Sequence, residues 1–330
     1  VHAIRLYAFG PAENLRYEKA DDPEPGPGQV RIAVAASGVH VIDTAIRAGN
    51  PKGPYALPEL PTIPGREVAG TVDALGPGVG PEWLRRRVVA HLGMVPGGYA
   101  ELAVTDTERL HVLPAGLGFA KAVAMVGTGR TTMGILRQSG LGPDDVALVT
   151  AAAGGIGSLL VQAARNAGAA VVGLVGGPAK VERVLALGAD AAVDYTAPGW
   201  TGLARAALAG RPATVVFDGV GGDPARGAVD LLGGGGRHLV YGWASGGPLQ
   251  LPEGDLTARG ITSAVLLGPS MLRAAGPDGL RALESAALAE GAAGRLVPAL
   301  HAFPLAQAAA AHSALESRRT LGKVVLGPDF

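Results

Sequence analysis

The stretch Val146–Gly157, VALVTAAAGGIG, joins an apolar run to a glycine-rich turn, and SLLVQAARNAG follows with helical spacing. In the G-x-G-x-x-G template the three small positions are Ala152, Gly154 and Gly157, with Gly155 added. A small residue permits the tight turn. Gly154 and Gly155 let backbone N–H groups approach a pyrophosphate, and Gly157 lets helix and strand pack closely. A helix beginning near Ile156 points its positive end at those phosphates. The segment is suited to holding a dinucleotide. The next strand, Ala170–Val175, ends in Gly176-Gly177, where a site for NAD places an acid on the ribose 2′-hydroxyl. The basic residues that follow are Lys180 and Arg183, three apart and expected on one helix face. Room at a glycine and charge at Lys180 suit a 2′-phosphate, so the expected cofactor is NADPH. The competing reading makes Lys180 only a solvated helix residue.

Elements on both sides must hold this loop in place. From about residue 120 to 267, strand-like and helix-like segments alternate: FAKAVAMVGTGRTTMGILRQSG, DVALVTAA, SLLVQAARNAG, AAVVGLV, AKVERVLALGA, DAAVDY, WTGLARAALAG, TVVFDG, ARGAVDLLGG and RHLVYG. That alternation predicts an α/β fold with a doubly wound parallel sheet and right-handed crossovers. The glycine-bearing loops Asp218–Gly222 and Gly242–Gly246 then fall at strand ends, along the same crevice. Residues 1–119 read as short strands punctuated by Gly and Pro, with a short helix at Val41–Ala48. The stretch 268–330 carries a helix at about Gly279–Glu290, a strand RLVPALHAF, a helix LAQAAAAHSALES and a closing strand GKVVL. It is expected to return to the first module and make that domain discontinuous.

Composition narrows the classes. The chain has 330 residues, 48% of them hydrophobic and 17% charged, enough for two domains with a real core. Lys+Arg and Asp+Glu balance at 28 each, which gives no footprint for nucleic acid or an anionic membrane. With no cysteine there is no disulfide, thiolate nucleophile or Cys-ligated zinc. The opening VHAIRLYAFGPAENL shows no secretory pattern, and no apolar run of about 18 residues predicts a membrane span. A cytoplasmic protein is expected. Ser/His/Asp nucleophilic chemistry has no supporting motif.

These residues resemble the medium-chain dehydrogenase/reductase superfamily, in its zinc-free quinone oxidoreductase (zeta-crystallin-like) branch. Five ordered motifs carry the resemblance: SGVHVIDTAIRAG, IPGREVAGTVDALGPGV, AAAGGIG, ALGADAAVDY and ESRRTLGKVVL. It implies a GroES-like β domain over 1–119 and 268–330, and a Rossmann domain over 120–267, with the active site in the cleft between them. It also implies cofactor contacts from Thr131, Gly154, Gly155, Ile156, Gly157, Gly176, Lys180, Tyr195, Tyr241, Gly242, Trp243, Ser245, Leu266, Leu267 and Arg318. Lys180, Tyr195 and Arg318 would surround the 2′-phosphate or its neighbours. A homodimer through ITSAVLLG is implied as well, the alternative being an edge covered by the protein itself.

Two positions depart from the branch. His40 stands where the branch has Asn and zinc-dependent relatives have a Cys ligand, and Arg66-Glu67 replaces the His-Glu of the zinc enzymes. A catalytic zinc needs about three protein ligands, and Arg66 would put a cation where one belongs, so no metal is expected. Ala45 replaces a pocket tyrosine of some quinone reductases, which leaves the pocket wider.

Holding a hydride donor against its acceptor supplies on the order of 7–11 kcal/mol of the barrier. The acceptor oxygen then needs a proton. His40 is the candidate donor, since imidazole titrates near neutral pH. An equal alternative gives His40 only a contact with the nicotinamide ribose or carboxamide. Asp43 is expected to orient its neighbours. Three functions remain open: an NADPH-dependent quinone or enone reductase, an enoyl-thioester reductase of lipid or polyketide type, and a non-catalytic NADPH-binding protein.

Overall fold

In chain order, β1 (His2–Leu6), β2 (Leu15–Lys19), β3 (Gln29–Val39), α1 (Val41–Arg47), β4 (Glu67–Leu75), β5 (Arg87–His91), β6 (Leu102–Asp106), β7 (Leu110–Val112) and α2 (Phe119–Ala124) form the N-terminal part. There follow α3 (Arg130–Ser139), β8 (Val146–Val149), α4 (Gly155–Asn166), β9 (Ala170–Val175), α5 (Val181–Ala186), β10 (Ala191–Asp194), α6 (Trp200–Ala207), β11 (Ala213–Asp218), α7 (Gly222–Val229), β12 (Leu232–Val240) and β13 (Thr262–Val265). The chain closes with α8 (Pro269–Ala275), α9 (Gly279–Ala292), β14 (Leu300–Pro304), α10 (Ala308–Glu316) and β15 (Lys323–Gly327). This computed structural model describes all residues except 51–55, 94, 253 and 329.

Two units result. One comprises Val1–Gly129, Ala287–Ala293 and Pro298–Phe330; the other comprises Arg130–Ala286 and Gly294–Val297. In the first, a sheet runs β14-β15-β3-β4-β5-β7, with β6 also on β3, and β1 pairs with β2 apart from it. β3 shows why: Val30, Ile32, Val34 and Ala36 are buried at every second position, the signature of a strand with one face on a core. Val30, Ile32 and Val34 pack with Val68, Val72, Val88 and Ala90. A second core gathers Ile4, Leu6, Val39 and Tyr99 with Leu305, Ala308, Val324 and Leu326 from the C-terminal segment. β15 pairs antiparallel with the end of β3, Val324 opposite Val39, so the last strand does return to the first module.

The second unit is a six-stranded parallel sheet in the order β10-β9-β8-β11-β12-β13. β8 is buried along its whole length, as a parallel strand covered on both faces must be. The order reverses between β8 and β11, and a doubly wound sheet opens its ligand crevice at that point.

Two segments differ from their sequence pattern. FAKAVAMVGTGRTTMGILRQSG reads as one helix, but a π-turn at Met125–Gly129 separates α2 from α3. Two glycines in five residues lower its helix propensity enough for packing to reshape it. Of RLVPALHAF only the last four residues are strand, in Leu300–Pro304, because Pro298 has no N–H to give a ladder.

Candidate functional site

Two sets of candidate residues stand out, one in each unit. In the second unit, the chain leaves β8 through Thr150–Gly154 and enters α4 with Gly154 as its N-cap. The first-turn N–H groups, of Gly155, Ile156 and Gly157, have no intrahelical acceptor and stand at the positive end of the helix. A Cβ built on Gly157 would overlap the carbonyl oxygen of Ala151, a backbone atom that cannot step aside. Ala151 itself holds φ 49°, the left-handed region. Opposite, the turn after β11 is organised by buried Asp218, whose Oδ1 accepts N–H groups of Val220 and Gly221 and the hydroxyl of Thr150. Tyr241, at the end of β12, donates to the Thr150 carbonyl at 2.9 Å, and the N–H groups of Ala244 and Ser245 go to the carbonyls of Gly219 and Val220. The strand-end loops thus brace one another around the crevice. Gly242, Trp243 and Ser245 lie in that braced loop, with Trp243 and Ser245 exposed.

At the end of β9, a Cβ on Gly176 would come within 2.7 Å of the Tyr195 hydroxyl, so the glycine and the tyrosine share one corner. Lys180 does not share a helix with Arg183: it ends a 3-10 turn, Pro178–Lys180, just before α5. Proline at the start of that turn fixes its φ and favours the tighter winding. An acid that sequence reading missed stands beside it. Asp194 Oδ1 accepts the N–H of Gly177 at 2.9 Å and both the N–H and hydroxyl of Thr196. Against the upward push of burial, these bonds and the Lys180 charge keep its carboxyl below the usual range. The spacing gave no hint of it, because Asp194 comes from the neighbouring strand. Thr131 lies in α3; Leu266, buried, gives its N–H to Val240, and Leu267 follows it. Arg318 belongs to the first unit, exposed after α10 with φ 57°.

The first unit centres on Glu67, fully buried at the start of β4. Its Oε1 lies 2.6 Å from His40 Nε2 and its Oε2 3.0 Å from Lys323 Nζ, while Lys323 Nζ is 2.6 Å from His40 Nε2. Both carboxylate oxygens are within ion-pair reach but out of hydrogen-bond alignment. Burial pushes Glu67 up, yet His40 and the Lys323 ammonium beside it outweigh that push and hold the carboxyl well below its ordinary value. For Lys323 burial wins over the pull of Glu67 and Asp43, pushing its ammonium down. Cβ atoms built on Gly38 and on Gly127 would each overlap a Glu67 oxygen, so the carboxylate sits in a slot between two glycines. Because Lys323 and His40 pin that carboxylate, it cannot swing away. Gly127→Ala is therefore expected to cost about 3 kcal/mol through overpacking and a displaced buried charge. Thermal melting checks this, and a variant within 0.5 kcal/mol of wild type, a margin on the order of a neutral surface change, would contradict it.

Asp43, in the first turn of α1, accepts the His40 N–H at 2.8 Å, the Arg66 guanidinium at 3.3 Å and the Tyr99 hydroxyl at 3.3 Å. Tyr99 is also 3.2 Å from His312 Nε2. Arg66 is thus committed to Asp43, and Ala45 lies two residues on in α1, half-buried. Sequence reading named His40 and Asp43. It missed Lys323, which reaches His40 from 283 residues away; the glycines at 38 and 127 were the available signal.

A family model described as an alcohol dehydrogenase GroES-like domain matches residues 26–115, and one described as a zinc-binding dehydrogenase matches residues 155–283. A quinone oxidoreductase of Pseudomonas aeruginosa is 34% identical over 331 residues, covering 98% of this chain and 99% of its own. The chain belongs to the medium-chain dehydrogenase/reductase superfamily, in its quinone oxidoreductase branch. A 2-haloacrylate reductase of a Burkholderia species is 33% identical over 341 residues, covering 99% of each chain. The crystal structure of Escherichia coli quinone oxidoreductase complexed with NADPH superposes with a TM-score of 0.84 at 28% identity, covering 99% of this chain and 100% of that one. The fold is accordingly the superfamily's GroES-like domain plus a Rossmann-type parallel sheet. At His40 an ammonium, that of Lys323, lies against both the imidazole and Glu67. Among the described residues no group of three or more His, Cys, Asp or Glu is placed to hold a metal ion, and no helix is long and apolar enough to cross a membrane.

Proposed function

We propose that this chain is an NADPH-dependent reductase that passes hydride to a quinone or an α,β-unsaturated carbonyl without zinc. The observation that supports this most is the cradle after β8, at the switch point of the parallel sheet, whose backbone admits no side chain at Gly157. The residues fit a dinucleotide: Gly154–Gly157 would take the pyrophosphate, Gly176, Lys180 and Tyr195 the adenosine end. The relative from Escherichia coli was crystallised with NADPH. When bound, the nicotinamide supplies the hydride; the protein supplies orientation and water exclusion.

The product oxygen needs a proton, and the His40–Glu67–Lys323 cluster holds protons beside one another. Lys323, destabilised as an ammonium by burial, lies at hydrogen-bond distance from His40 Nε2, and the His40 side chain, 26% exposed, is the member of the three that reaches solvent. Glu67 lies within ion-pair distance of both and holds them in place. His40→Ala is expected to lower kcat about 100-fold, with the apparent affinity for NADPH changed far less. An unchanged kcat with only weaker NADPH binding would assign His40 to cofactor contact alone.

Lys180 faces Asp194 as well as the proposed phosphate, so the cofactor preference rests on one cation partly offset by one anion. Lys180→Ala is expected to reduce kcat/KM with NADPH at least tenfold, since a bond to a charged group contributes about 1.5–3 kcal/mol. The effect with NADH should be small. Equal losses with both cofactors would contradict the 2′-phosphate assignment. The reading as a whole is tested by NADPH consumption against quinones, enones and crotonyl thioesters. Turnover of thioesters alone would favour an enoyl-thioester reductase, and tight NADPH binding without turnover a non-catalytic role.

A further inference from the structure

Away from both sets, three residues on adjacent strands form a chain across the outer half of the parallel sheet. Asp218 ends β11, His238 lies in β12 and Ser263 in β13, with His238 and Ser263 register partners. Asp218 Oδ2 is 3.2 Å from His238 Nε2, and His238 Nδ1 is 2.9 Å from Ser263 Oγ. Asp218 and His238 are buried, while Ser263 is exposed on the outermost strand.

The chemistry of the partners fixes the protons. Asp218 is ionised: burial pushes its carboxyl up, but His238 and the N–H groups of Gly221 and Val220 hold it below the usual range. A carboxylate only accepts, so His238 carries its proton on Nε2. With Nδ1 unprotonated, as a base requires, the ring offers a lone pair there to the Ser263 hydroxyl. A serine donating to an imidazole whose far nitrogen is held by a buried carboxylate is arranged for nucleophilic attack.

We propose that Ser263 is an acyl-accepting nucleophile, with His238 as its base and Asp218 as the group that orients the base, toward activated acyl donors such as aryl esters and thioesters. Ser263 Oγ forms a bond to the acyl carbon, and the bond from that carbon to the aryloxy or thio group breaks. The serine proton passes to His238 Nδ1, giving an imidazolium beside Asp218, and from there to the departing phenoxide or thiolate. An O-acyl serine and a free phenol or thiol result. The donor must be activated, because a good leaving group replaces the charge stabilisation that a full hydrolase site adds. Pairing of the β13 edge with a second copy would engage its backbone groups and set side chains of the added strand beside Ser263. The proposal does not depend on the reductase reading.

Wild-type protein treated with p-nitrophenyl acetate should release a burst of one equivalent of nitrophenolate, with one acetyl group on the peptide containing Ser263. Ser263→Ala should abolish the burst while the protein remains folded. His238→Gln should slow it by at least about 100-fold. Acetylation confined to lysines, or a Ser263 acetylation rate unchanged in His238→Gln, would overturn the proposal.

Discussion

Glu67→Gln is expected to destabilise the first unit by about 3–5 kcal/mol at neutral pH, the cost of leaving one member of a buried ion pair unpaired. The carboxylate is fully buried between Gly38 and Gly127, and its removal leaves the Lys323 ammonium, 4% exposed, facing His40. Lys323 can escape by losing its proton. With an ordinary lysine value near 10.5, that limits the cost to about 5 kcal/mol at pH 7. The sign of the pH dependence follows. Lys323 in the variant titrates further below its unfolded value than in wild type, so the unfolded chain binds more protons across that interval. Stability of Glu67→Gln should therefore rise as pH increases toward 10.5. The double variant Glu67→Gln, Lys323→Met removes the stranded charge and should melt higher than the single variant. A single variant within about 1 kcal/mol of wild type, or a double variant equal to the sum of its parts, would show that the pair is not coupled.

His312 should make the same unit acid-sensitive well above the carboxylate range. Its ring is fully buried, with Nε2 toward Tyr99 and Nδ1 without a hydrogen-bond partner. Burial pushes it down to about 4; Asp43 opposes that shift and Arg47 adds to it. The folded value lies below the unfolded value of about 6.5, so the contribution is complete above 6.5 and is lost as pH falls through that value toward 4. The full loss is about 3 kcal/mol. Melting temperatures of wild type and His312→Gln measured between pH 7 and pH 4 check this. The wild-type curve should fall more steeply than that of the variant, in which no group at this position titrates. Parallel curves would mean that His312 takes up its proton without leaving its site.

The parts of this molecule that can be read from sequence are those whose partners are close in sequence. The cradle is contained in twelve consecutive residues, and β9 runs over Ala170–Val175 as its apolar pattern predicts. α1 and the return of the last strand to the first module were also legible, since periodicity and turn residues specify them locally. The charge clusters were not. His40, Glu67 and Lys323 lie on α1's N-cap, β4 and β15, and no spacing rule links them. Asp194 reaches Gly177 only because β10 pairs with β9. The chain Asp218–His238–Ser263 is assembled by three parallel strands whose order in space is set by crossovers. Sequence reading found no serine–histidine–aspartate motif because the sheet, not the spacing, creates one. Lys180 departs from its helical expectation for a local reason, the proline that tightens the turn before it.

The most direct test of the reductase reading follows the hydride itself. NADPH carrying deuterium at the reactive C4 position is supplied with an enone, and the product is examined by mass spectrometry and NMR. The account predicts one deuterium on the carbon β to the carbonyl, with the proton at the α carbon drawn from solvent. Product without deuterium at that carbon, or NADPH that binds and is never consumed by any enone or quinone, would contradict it.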